Sequence, residues 1–92
     1  MTYRLHEGIV YAKVSGVHLL VATRSAWELF PPVRQLSPLQ GAFICGILKD
    51  LPEDDLLEWL ILPPKMKKAA VRQRYRKFVE MMDQEGYLIP EE

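Results

Sequence analysis

The chain has ninety-two residues, twelve basic and twelve acidic side chains and one cysteine, which leaves room for one domain burying roughly 60–65% of its unfolded surface in a modest core. The cancelled charge excludes bulk attraction of the whole chain to nucleic acid or a membrane surface. A lone cysteine closes no internal disulfide, no apolar run approaches the ~18 residues of a membrane span, and no signal peptide is read, so a soluble, reducing, cytoplasmic setting is expected.

The first elements read as strands. Residues 8–14 and 17–22 are rich in β-branched and aliphatic side chains, and Ser15-Gly16 between them suits a two-residue hairpin turn. Pairing Val14 with Val17 places Ala12 opposite Leu19 and Val10 opposite Val21, an apolar face assigned to the core; Lys13 with His18 and Tyr11 with Leu20 form the mixed face. A loop at Thr23-Arg24-Ser25 then leads to a third strand over 26–30, with Trp27 and Leu29 on the core side and Ala26, Glu28 and Phe30 pointing away. That strand has no following strand to pair with. Its edge is open to another chain, and Phe30 is the expected aromatic anchor.

Pro31-Pro32 stops the strand, and each helix begins near a proline. Ser37-Pro38-Leu39-Gln40 is a capping-box start for a helix over 38–49 with an apolar stripe of Leu39, Phe43, Ile44, Ile47 and Leu48. A second helix over 52–61 carries Glu53, Asp54 and Asp55 in its first turn, where they suit the helix dipole, and buries Leu56, Leu57, Trp59 and Leu60. Pro63-Pro64 separates it from a long helix over 65–85, whose stripe is Val71, Tyr75, Phe78 and Met82. Gly86 is the expected stop, with Tyr87, Leu88 and Ile89 folding back and Pro90-Glu91-Glu92 as a tail. The fold class is α+β, three antiparallel strands followed by three helices.

Enzymatic constellations are missing from this pattern. His6 and His18 have no second ligand at metal spacing, and Cys45 sits mid-helix among apolar residues, where a thiol is inert. Consecutive Glu53-Asp54-Asp55 point in different directions around a helix and cannot share one ion. No phosphate loop or nucleophile elbow is present. One electrostatic feature stands out: seven of the twelve basic residues lie between Lys65 and Lys77, against the dipole of the third helix. Lys68, Arg72 and Arg76 repeat every four residues as a ridge. A solvated face, an acidic peptide partner and nucleic acid are the three readings of that ridge.

The order of elements, the Trp27-Glu28-Leu29-Phe30 segment and the closing Gly86-Tyr87-Leu88-Ile89 resemble the PqqD family, the winged-helix-like RiPP recognition elements, over about residues 4–89. The resemblance implies a non-catalytic peptide chaperone without a cofactor of its own. Such a domain holds the leader of a ribosomally made precursor peptide as an added strand and presents it to a modifying enzyme, often a radical SAM protein. Carried onto this chain, the resemblance implies a docking strand of Ala26, Trp27, Glu28, Leu29 and Phe30, with Lys68, Arg72, Tyr75, Arg76 and Val79 lining the groove beside it. The residue reading adds an open edge and a basic ridge, which suit strand addition by an acidic peptide. Two rival readings are a nucleic-acid-binding winged helix, with the third helix as recognition helix, and a structural subunit that dimerises through the open edge.

Overall fold

A computed structural model describes residues 2–61 and 65–91. Its strands are β1 (Thr2–Leu5), β2 (Ile9–Val14), β3 (Val17–Ala22), β4 (Val33–Leu36) and β5 (Leu88–Glu91). The helices are α1 (Pro38–Leu48), α2 (Glu53–Trp59) and α3 (Lys68–Glu85). A three-stranded antiparallel sheet in the order β2-β3-β4 packs against the helices, and β1 pairs with β5 in a separate two-stranded ribbon. The α+β class, the three-stranded sheet and the three helices are those expected. The proline break at Pro63-Pro64 and the terminal Glu92 lie outside the described residues.

The hairpin has the expected register, Val10 with Val21, Ala12 with Leu19 and Val14 with Val17, around a turn in which Ser15 and Gly16 both take positive φ (51° and 79°). That is the twist a two-residue hairpin needs. Its faces are exchanged, however. The core receives Ile9, Leu20 and Ala22, whereas Val10 and Val14 are about half exposed. Both faces are apolar near the base of the hairpin, so alternation alone does not choose between them. The helices cover the side with the larger side chains, and Lys13 on that side escapes because it lies near the exposed tip.

The third strand is not 26–30. Arg24–Ala26 is a single 3-10 turn, Ala26 is wholly buried, and the open positions are Trp27 and Leu29, at 59% and 71% exposure. Phe30, expected outside, is 7% exposed: its ring sits 4.6 Å from Tyr87 and 5.2 Å from His6. Trp27, expected in the core, instead lies over the end of the sheet. Ala22 donates its amide to the Pro32 carbonyl, and Pro32 has no N–H to return; Trp27 Nε1 donates to the Ala22 carbonyl in its place, at 3.0 Å. The strand that pairs with β3 starts just past Pro31-Pro32, with Val33 opposite Val21 and Gln35 opposite Leu19.

The helices follow their signals more closely. Ser37 caps α1 through a reciprocal box with Gln40, at 3.2 and 3.0 Å. α2 is shorter than expected, and Trp59 is 42% exposed on it. Its contact with α1 is close because Gly46 offers no side chain: a Cβ there would run into Leu56. α3 buries Val71, Tyr75, Phe78, Val79 and Met82, begins at Lys68 and stops at Gly86, which takes the left-handed conformation at φ 87°. Tyr87 and Leu88 are buried, and β5 continues as a strand on β1 through Pro90 and Glu91, where a tail was expected. Among the described residues no helix is long and apolar enough to cross a membrane.

Candidate functional site

The sheet has two edge strands, β2 and β4, and the edge that lies beside α3 belongs to β4. Hydrogen-bonded and non-bonded pairs alternate along an antiparallel ladder. Because Ala22 and Pro32 form a bonded pair, Leu20 with Arg34 and His18 with Leu36 continue the bonded set. The main-chain groups of Val33 and Gln35 therefore point away from β3, toward the free edge. They supply two N–H donors and two carbonyl acceptors, in the spacing an added strand requires.

α3 forms the wall beside this edge. Arg34 crosses from β4 to pair with Glu85, lies 3.8 Å from the Met81 sulfur and stacks over the Tyr87 ring at 5.3 Å from its centroid. Further along, where the chain leaves β4 for α1, a pocket of about 270 Å³ opens between the helices. Leu39, Phe43, Phe78 and Met81 give it an apolar lining, and Ser37, Gln40, Arg74 and Lys77 the polar remainder. Toward the start of α3 a second hollow of about 410 Å³ is lined by Lys65, Met66, Lys67, Ala70 and Arg74. The two share Arg74. They form one trough along the helix.

The ridge of Lys68, Arg72 and Arg76 is not in that trough. It faces α2. Lys68 pairs with Glu58, Arg72 with Glu53 at 2.5 Å and Asp54 at 2.9 Å, and Arg76 with Glu53 at 2.7 Å. The Arg76 guanidinium first, and Arg72 after it, hold the Glu53 carboxyl below its ordinary value, overcoming partial burial that acts the other way. The acidic first turn of α2 therefore holds α2 against α3 as well as favouring its own dipole.

Tyr75 and Val79, the other two groove candidates on α3, are both 5% exposed and belong to the core. With Tyr3, Glu53, Arg76, Glu80 and Asp83 they line a separate hollow on the α2 side. Burial, reinforced by Glu53, pushes the Tyr75 hydroxyl up to about 12. Of the five residues 26–30, none lies on the free edge. The edge and trough residues that sequence reasoning passed over are Val33, Gln35, Arg74, Lys77 and Met81. A signal existed for the α3 members: 70, 74, 77 and 81 follow one another at helical spacing, one position before the core stripe at 71, 75, 78 and 82. For β4 the signal was faint, four residues directly after two prolines.

His6 and His18 serve the fold. His6 Nδ1 accepts from the Gly8 amide at 2.9 Å, and His18 Nδ1 lies 2.6 Å from the Tyr11 hydroxyl. Burial first, and then the neighbouring Cys45 thiol, push that hydroxyl up to about 12. Cys45 is half-buried, less enclosed than its sequence neighbours suggest.

No protein-family model matches the chain, and no curated protein matches it. Solved structures do. One described as lasso peptide synthetase B1 complexed with the leader peptide superposes with a TM-score of 0.78 at 17% identity, over 98% of this chain and 100% of that one. Another, TbiB1 in complex with the TbiA(beta) leader peptide, superposes with a TM-score of 0.76 at 9% identity, over 97% and 98% of the two chains. The likeness is one of fold along essentially the whole chain, and that fold is the sheet-and-three-helix architecture expected from the resemblance to RiPP recognition elements.

Proposed function

We propose that this protein is a non-catalytic recognition domain that binds the leader of a ribosomally made precursor peptide by strand addition and presents it to a modifying enzyme. The observation that carries the reading is the open β4 edge beside the α3 trough, in a fold shared with two solved structures described as leader-peptide complexes. Main-chain bonds to Val33 and Gln35 set the register of the added strand. Alternate side chains of the leader then turn toward the apolar pocket. Ordering a disordered leader costs a few kcal/mol, so the pocket has to supply a buried anchor.

The test is Gln35→Pro. It removes an N–H that the β3–β4 ladder does not use, on an edge strand where proline is tolerated. A labelled leader, taken from a short peptide encoded beside this protein, should lose at least about tenfold in affinity by fluorescence anisotropy, a loss of about 1.4 kcal/mol or more, while the urea midpoint changes little. Undiminished affinity would show that the leader does not add to β4. Chemical-shift changes on leader addition should centre on Val33–Leu36 and on α3 from Arg74 to Met81; shifts confined to the Ser15-Gly16 tip would rule the site out.

A further inference from the structure

We infer that the trough along α3 selects a leader carrying an acidic segment just outside the part that pairs with β4, an inference that rests on the leader-binding reading above. The seven basic residues from Lys65 to Lys77 fall into two sets. Lys68, Arg72 and Arg76 are taken up by Glu58, Glu53 and Asp54 of α2. Lys65, Lys67, Arg74 and Lys77 line the trough, and among the described residues none of these four is in an ion pair. No acidic side chain lines either hollow of the trough.

Geometry places this charge beyond the paired strand. β4 starts beside the C-terminal end of α3, where Arg34 meets Met81 and Glu85. It ends at Leu36, and the next residue, Ser37, lines the pocket that Arg74 and Lys77 border. A peptide paired with Val33 and Gln35 that continues past Ser37 therefore runs along α3 toward Lys67 and Lys65. The distance from Met81 back to Lys67 is about 21 Å at 1.5 Å per helical residue, which about six extended peptide residues span. Acidic side chains in that flank meet four cations already held at one wall of a groove, and no internal pair has to be broken first. The same segment laid on the α2 side would compete with Glu53 and Asp54 for their guanidinium partners.

The experiment is selection of a phage-displayed library of random twelve-residue peptides on three forms of the protein: unaltered, Arg74→Glu with Lys77→Glu, and Gln35→Pro. On the unaltered protein, aspartate and glutamate should be enriched at one end of the selected peptides. On the charge-reversed form that enrichment should vanish or turn to lysine and arginine. A selected peptide and its Glu→Gln counterpart should differ by about tenfold in affinity at about 0.05 M salt, and the gap should close at about 0.5 M. Equal acid enrichment on the unaltered and charge-reversed forms overturns the inference while leaving strand addition standing. Failure to enrich any peptide, or unchanged enrichment on Gln35→Pro, overturns strand addition and this inference with it. A twelve-nucleotide oligothymidine that binds more tightly than the best peptide and competes with it overturns the inference in favour of nucleic acid.

Discussion

The two flanks of α3 carry similar side chains into different surroundings. On one, Arg72 and Arg76 close on Glu53 and Asp54, and the long side chains are committed to holding α2. On the other, Arg74 and Lys77 border an apolar pocket with no acid among its lining residues. The first flank is structural, and the second is available to a ligand. A run of basic residues in a helix therefore carries no single meaning. Its meaning is set by what the neighbouring elements bring against each side.

Substitutions can separate the flanks. The largest effect is expected from Leu56→Ala, which detaches the apolar side of α2: Leu56 is wholly buried over Gly46, and its loss should cost about 2–5 kcal/mol in urea unfolding. A cost below about 1 kcal/mol would mean that α2 is held by its charges instead. Next comes Arg72→Glu with Arg76→Glu, which sets like charges against Glu53 and Asp54. The thermal midpoint should fall, while leader affinity stays within about twofold because the altered side chains lie outside the trough. A large loss of affinity without loss of stability would return the ridge to the binding site.

A smaller effect tests the electrostatics directly. Glu53→Gln should lower stability at neutral pH by about 1 kcal/mol or less, as expected for a largely solvated network. Glu53 is held below its ordinary value of 4.5 in the folded protein, so its contribution is fully present above that value. It is lost as pH falls through the lowered folded value. The urea midpoints of the variant and the unaltered protein should converge in acid, and a gap that persists there would assign the effect to packing. The smallest effect belongs to Lys68→Gln. Both it and Glu58 are well exposed, and the change should stay within about 0.5 kcal/mol.

Much of the architecture was legible before any coordinates. The register of the hairpin followed from Ser15-Gly16, the start of α1 from the Ser37–Gln40 box, and the core stripe of α3 from the spacing of Val71, Tyr75, Phe78 and Met82. The site was less legible. An open edge beside the last helix is expected and is present, but the expected segment, 26–30, begins seven residues before the strand that carries it, Val33–Leu36. Local composition favoured the wrong segment, since Ala-Trp-Glu-Leu-Phe alternates like a strand and Val-Arg-Gln-Leu is short and half polar. Phe30 settles the matter through contacts that no local pattern contains, with His6 and with Tyr87.

The sequence by itself determined the elements that depend on neighbours a few residues away: turns from positive-φ residues, helix starts from caps, and buried stripes from a 3.6-residue period. Only the tertiary structure decided which face of the hairpin is covered, which strand closes the sheet and which basic flank of α3 stays open. Those choices depend on side chains far apart in the chain competing for the same space and the same charges. Glu53 reaches Arg72 and Arg76, Phe30 reaches Tyr87, and Trp27 supplies the hydrogen bond that Pro32 cannot. Once these partners are engaged, the β4 edge and the α3 trough remain open side by side.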